Sequence, residues 1–460
     1  MSDPKPLPLL APLGNRYESL TVDSRLVNGF VEKGEDESTA YVYKRPGFIQ
    51  DSIVSVGAGL GVFNWKNHVY SVFGSQVFKD GVLIIGSAVD TTAIYRFTST
   101  LGANPSLFLN NGVKSYAITI AGAISEIDGL SNYPASTVPG CVYLDGTTYV
   151  FDKVSSLHGS GLNDLTTWAA DNLIVAQIEP DDSIALLKQL TYILALKQFY
   201  TEVFYDAGNA AGSPLAPVAG AKMNYGCVSP YTVCDVGGDA IWISRTREGS
   251  VSVVMVSSLK LQVISTPQVE RALQGADFAG PVYSWAAKVD GHRFYGVTMV
   301  NTNLTLVYDL TSRFWQRWTD PNGNYLPYSS STISLENKVT FQHATNGNLY
   351  HLDITNYQDA GVVFPVDIYT PNFDGGTKRI KTLSRLDVTG DQFSGSTLTL
   401  QYSDDDYQTW SLPVSADLST DNPFWSDLGS FRKRAFRFTH SSNSPLRLKM
   451  IEVYLALGSL

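Results

Sequence analysis

The sequence predicts an all-β protein, and three observations carry that reading. Aromatic residues make up 12% of the 460 residues, with 25 Tyr and 38 Gly, a mixture suited to short strands and tight turns. Runs of β-branched and aromatic residues, bounded by Asn, Asp, Gly and Ser, recur along most of the chain. Helix is scarce: only 266–274, TPQVERALQ, reads as one, with Thr266 as N-cap and Pro267 at the first helical position. The clearest unit is 306–319, LVYDLTSRFWQRWT. Val307 and Tyr308 lead into a polar turn, Asp309 to Arg313, and Phe314, Trp315 and Trp318 follow. It reads as an antiparallel hairpin, and its closing tryptophans fit the outer strands of a propeller blade.

Looser versions of this unit follow one another. Residues 61–79 give three strands with turns at Lys66-Asn67 and Gly74-Ser75, and 106–126 repeats the pattern around Asn110, Asn111, Gly112 and Gly122. In 141–152, CVYLDGTTYVFD, the Asp145-Gly146 pair is among the strongest short hairpin signals. Residues 185–206 turn at Lys197-Gln198, and 232–264 break at Gly237-Gly238 and Glu248-Gly249. Residues 282–318 turn at Asp290-Gly291 before the hairpin above, and 338–353 turn around Asn346-Gly347. Six or seven units spaced by roughly 40–50 residues predict a β-propeller-like body of about six blades over 51–361. Ahead of it, 1–50 reads as an extended, proline-stiffened N-terminal arm and a first strand. After Gly361 the texture changes. Strands VVFPVDIYT, KTLSRLDVTG, STLTLQYS, AFRFTHS and LRLKMIEVYLAL, parted by long polar loops, predict a C-terminal β-sandwich over 362–460.

Composition narrows the function classes. Hydrophobic residues at 44% against 17% charged exclude a disordered tail. The net charge of −10 argues against a general nucleic-acid-binding surface, because neutralising phosphates takes Lys and Arg. Residues 362–460 carry 10 Lys+Arg against 11 Asp+Glu, leaving 23 against 32 in the first 361. An acidic body of that kind suits a partner docked at the C-terminal end, or DNA that passes without sticking. Three cysteines, Cys141, Cys227 and Cys234, form no CxxC and point to a reduced assembly site, with small buried hydrophobes as the role of Cys227 and Cys234. The start, MSDPKPLPLLAPLGN, lacks the basic and continuous apolar regions of a signal peptide. No run approaches the ~18 apolar residues of a membrane span.

No motif in the chain commits it to catalysis. The six histidines form neither HxH nor HExxH, and His343 and His351, on neighbouring strands, lack a third metal ligand. The run His158-Gly159-Ser160-Gly161 is not a GxSxG elbow. Gly57-Ala58-Gly59-Leu60-Gly61 precedes a strand, so it lacks the helix N-terminus of a phosphate loop. Asp404, Asp405 and Asp406 lack the spacing of a calcium loop and read as a solvated turn. Two carboxylates from distant blades would suit glycoside chemistry, so a propeller carbohydrate-binding protein or glycosidase is the alternative. The basic clusters say more. Lys378, Arg379, Lys381 and Arg385 flank one C-terminal strand, and Arg432, Lys433, Arg434 and Arg437 flank another. If the strands are neighbours, these eight residues form a candidate docking patch; the competing reading is sheet-edge protection.

Several segments, in order, resemble the tail hub, or nozzle, proteins of short-tailed bacteriophages, also called packaged-DNA stabilisation proteins. Near the start, Asn28 and Arg45-Pro46-Gly47-Phe48 hold the places of that family's opening segment and its Pro-Gly turn. Residues 181–206 are similar to its strand, polar turn and aromatic-rich strand, and 225–273 to its blade strand followed by a short helix. Residues 307–318 match its VYD…W hairpin, and 429–438, GSFRKRAFRF, its closing basic strand, with Ala435 where the family has Gly. The resemblance implies a virion protein assembled in the host cytoplasm. It would form a ring of identical subunits, a homohexamer, beneath the portal–adaptor complex. Its implied partners are itself, the tail adaptor, fibre, tailspike or plug proteins, and genomic double-stranded DNA passing without sequence-specific binding. It implies no catalytic residues, cofactors or metals.

Overall fold

Hairpins form where the sequence supplies residues that tolerate a left-handed backbone. Asp145 (φ 44°) and Gly146 (φ 95°) join Val142–Leu144 to Thr147–Phe151, and Asp290 (φ 50°) and Gly291 (φ 78°) join Val282–Val289 to His292–Met299. Positive φ at both central residues matches the right-handed twist of the flanking strands. Lys66 and Asn67 do the same without glycine. The computed structural model describes residues 4–9, 24–34, 40–53, 55–334 and 336–458. Most of the arm read over 1–50 ahead of Ser24 lies outside these residues.

Antiparallel four-stranded sheets follow one another at 59–83, 96–126, 142–175, 183–217 and 234–263. Residues 282–317 supply four more strands, and 328–353 give three that are completed by Gly47–Ile53, with Phe48 opposite Leu352 and Ile49 opposite His351. The ring is therefore a β-propeller. Six blades stand as sheets of their own, and the four strands of 282–317 continue into a larger sheet.

A blade cannot bury both faces alone, so the core is divided among the gaps between blades. Leu60, Tyr70 and Val72 of the first blade meet Tyr95, Leu107 and Leu109 of the second. Phe108 then meets Val150 and Trp168, and Val142 meets Ile193. Ala185 meets Trp242, and Ile243 meets Val297 and Trp315. Trp285 and Trp318 meet Phe341, and Leu349 meets Val62 and Phe73 to close the circle. The short helix Pro267–Gln274 is capped by the Thr266 hydroxyl, which accepts the Val269 N–H. Its Val269 and Leu273 plug the gap between the fifth and sixth blades.

The remaining strands make a two-sheet sandwich. The blade of 282–317 runs on through Arg25–Val27, Val366–Tyr369, Ala435–His440, Thr397–Ser403 and Val414–Asp417. Val27 lies parallel to the blade's last strand, opposite Arg317. The facing sheet is ordered Gly29–Lys33, Ala40–Lys44, Arg447–Leu457, Lys381–Gly390 and Phe424–Ser426. Lys5–Pro6 lies along Arg447–Leu457. The sandwich thus contains N-terminal as well as C-terminal strands. Leu26, Val42, Ile368, Leu386, Phe438 and Ile451 fill the space between its sheets.

Candidate functional site

Where propeller and sandwich meet lies a buried polar node. Asn28 sits at φ 55° between two strands, and its side chain is fully used. Its amide donates to Thr319 Oγ1 (2.8 Å) and the Pro365 carbonyl (2.9 Å), while Oδ1 accepts from Arg45 Nε (3.1 Å) and the Thr319 N–H (2.7 Å). Arg45 is wholly buried. It pairs bidentately with Asp359 (2.9 and 2.5 Å) and donates to the Pro46 and Thr319 carbonyls, both at 3.0 Å. All five guanidinium donors are therefore satisfied, which is what allows a charge to be buried. Asp359 also accepts the Phe48 N–H at 3.1 Å. Gly47 is required by close approach, since a Cβ there would lie 2.2 Å from the Gln358 carbonyl oxygen.

Lys44, the neighbour of Arg45, is buried as well. Its ammonium donates to the Ser442 carbonyl (2.8 Å) and lies over the Phe364 ring (4.7 Å). Burial, and then the Arg45 charge, lower its pKa to about 7. Across the same space, His440 shares Nε2 with Ser396 Oγ (2.9 Å), and burial with the nearby Lys44 lowers its pKa to about 3.

The eight basic residues of the candidate patch divide into two groups. Lys381–Gly390 and Ala435–His440 belong to opposite sheets, so their flanks meet only at one end of the sandwich, where Lys381 pairs with Phe431. Four of the eight are neutralised locally. Arg434, buried, grips Asp404 at 2.7 and 2.8 Å; Lys433 reaches Asp406 (2.8 Å); Arg437 pairs with Asp367 (3.0 Å) and Arg385 with Asp387. The acidic turn of Asp404 and Asp406 is thus the internal counter-charge of the basic strand. Lys381 is buried and donates to the Thr377 (2.6 Å) and Arg379 (2.8 Å) carbonyls. Arg379 reaches the Gly458 carbonyl (2.7 Å), and Arg432 that of Lys378 (3.0 Å). Among the described residues Lys378, Arg379, Lys381 and Arg432 have no ion-pair partner, and Lys5, bound to the Gly375 carbonyl, joins them at this end.

The propeller axis is almost filled. Its cavity, about 230 Å³, is lined by inner-strand residues from every blade, among them Val62, Arg96, Cys141, Leu186, Asp235 and Trp285. Arg96, in the second blade, spans the axis to the Pro230 carbonyl before the fifth (2.8 Å). A channel that one side chain crosses cannot pass a duplex whose major groove alone is roughly 12 Å wide.

Residues 22–357 match the family model described as bacteriophage P22 Gp10, beta-propeller. The chain belongs to that family, the packaged-DNA stabilisation or tail-nozzle proteins. A comparison with curated proteins returns no match. Among solved structures, the extracellular domain of a B. thetaiotaomicron one-component system is 8% identical at a TM-score of 0.45, covering 80% of this chain and 47% of that one. YCF48 bound to D1 peptide is 10% identical at 0.40, covering 71% and 99%. The Neurospora crassa Pan2 WD40 domain is 10% identical at 0.40, covering 67% and 94%. The chain spans about half the length of the first of these, and likeness at these scores carries no argument.

The P22 Gp10 match covers the junction residues Asn28 and Arg45 and stops just short of Asp359, so the node spans the limit of the matched segment. The sequence pointed to Asn28 and Arg45-Pro46-Gly47-Phe48 only through resemblance; their joint role with Asp359 was not read. The metal candidates are not brought together: His351 pairs with Asp51 (2.9 Å), while His343 Nδ1 accepts the Thr345 and Asn346 N–H groups (both 3.1 Å). Cys141 and Cys227 are buried thiols, and Cys234 is half-buried. In this tail-nozzle chain Trp315 and Trp318 serve opposite faces of one blade, donating to the Ile264 (2.7 Å) and Gly29 (3.3 Å) carbonyls. No helix among the described residues is long and apolar enough to cross a membrane.

Proposed function

We propose that the chain is the ring-forming nozzle subunit of a short-tailed phage, a structural and not a catalytic component of the virion. Six copies surround the genome exit path below the portal–adaptor complex, help to retain packaged DNA, and carry fibre, tailspike or plug proteins. The blocked propeller axis is the observation that carries this reading beyond family membership. It makes each propeller a solid wedge, so the DNA path runs between subunits, along the ring's own axis. The net negative charge of the first 361 residues keeps DNA from sticking to the wall as it passes. The sandwich end carrying Lys378, Arg379 and Arg432 faces the adaptor.

Light scattering with negative-stain imaging in the presence of the upstream ring tests the assembly. A six-fold ring with an open centre supports it, and subunits that stay monomeric on that ring defeat it. Reversing charge at Lys378 and Arg432 tests the docking end, since neither makes an ion pair among the described residues. Adaptor capture should fall at least tenfold; unchanged capture removes the patch from the proposal. Of the lining residues of the axial cavity, only Asp235 is a carboxylate, whereas glycoside chemistry uses two.

A further inference from the structure

Buried arginines elsewhere in the molecule are matched by a carboxylate fork: Arg45 by Asp359, Arg434 by Asp404. Arg96 is not. It lies in the lining of the axial cavity, and no carboxylate is within ion-pair distance among the described residues. One of its five donors is engaged by the side chain's reach to the Pro230 carbonyl (2.8 Å). Burial lowers its pKa, and the groups that act on it electrostatically are the neutral Cys234, Tyr231, Cys141 and Cys227. Guanidinium nonetheless stays protonated in proteins, so the charge remains. The one acidic residue of the lining, Asp235, is directed to the Gly238 N–H (2.7 Å), and burial raises its pKa.

We propose that the axial cavity binds one small oxyanion, held by the Arg96 guanidinium. A guanidinium facing a confined cavity without a carboxylate partner favours an anion there, and its fork is the donor geometry that best fits the paired oxygens of such an anion. Room is sufficient: about 230 Å³ exceeds the ~30 Å³ that a water occupies severalfold. The anion completes the axis by bridging inner strands of blades far apart in sequence, and this holds whether or not the nozzle reading stands.

Equilibrium dialysis of the full chain against labelled inorganic phosphate, at ionic strength fixed with chloride, tests the site. One phosphate per chain is expected, with a rise in thermal midpoint that chloride alone does not give. Arg96→Met should abolish both. Should that variant not fold, Cys234→Leu keeps the guanidinium, fills part of the cavity, and should weaken retention at least tenfold. No retention by the native chain, or retention unchanged in either folded variant, overturns the proposal.

Discussion

Between blades, apolar clusters repeat around the ring; at the junction with the sandwich, the packing of Phe30 on Phe294 and Trp318 is joined by a buried polar node made once. Each gap between blades is filled by its own cluster, such as Leu60, Tyr95 and Leu109, or Ile243, Val297 and Trp315. Losing one side chain there thins one interface among several. At the junction, Asn28, Arg45, Asp359 and Thr319 bring together the N-terminal strands, the linker after the last blade and the end of the sixth blade. Losing one partner there strands the others. The blade interfaces repeat, whereas the saturated charge pair occurs beside the Val27–Arg317 strand pairing and the packing of Phe30 where the sandwich joins.

That contrast can be broken most strongly at Arg45. Arg45→Met leaves Asp359 buried without its partner, and should cost about 3–5 kcal/mol in chemical denaturation. Arg45→Lys should recover only part, because an ammonium cannot reproduce the fork. Trp318→Ala, at a wholly buried site packed on Trp285 (5.6 Å) and Phe294 (5.2 Å), should cost roughly 3–5 kcal/mol. Its effect should stay with the last two blades and the Gly29 strand that its indole contacts: amide exchange should rise there and remain unchanged in the first three blades. If protection is lost all round the ring, the interfaces are not independent.

A pH series sharpens the junction side. Lys44 has a folded pKa of about 7, below the ~10.4 of a free lysine. Between these values the unfolded chain binds the extra proton, so this group makes stability rise with pH from about 7 toward 10. Arg45, Asp359, Tyr357 and His440 surround it and are retained in Lys44→Met, which should flatten that rise. An identical slope in the variant would assign the pH dependence elsewhere. Smallest is the helix cap: Thr266→Ala should cost about 1 kcal/mol and leave the junction untouched.

What could be read in the sequence follows the range of the interactions. Blade hairpins were legible because Asp145-Gly146, Asp290-Gly291 and Lys66-Asn67 act within four residues, and strand alternation repeats around them. The helix at Pro267 was legible for the same reason. The pairing of Gly47–Ile53 with Asn348–Asp353 left no local trace, nor did the recruitment of Arg25–Val27 and Ala40–Lys44 into the sandwich. Register between distant strands is set by burial that only the assembled fold creates. The basic cluster was visible, but its quenching was not. Asp404 and Asp406 read as a solvated turn because nothing in a linear sequence ties them to Lys433 and Arg434.

Closure by Gly47–Ile53 has a consequence for how the subunit is made. That strand leaves the ribosome long before Asn348–Asp353, its partner, has been translated. Blades one to five are contiguous in the chain and can form as they emerge, but the circle stays open until the chain has been made through Asp353. Such a late, non-local step is intrinsically slow and leaves an unpaired sheet edge in every incomplete chain. Closure of the propeller therefore depends on chain length: a chain ended before Asn348–Asp353 keeps a gap between its first and last blades.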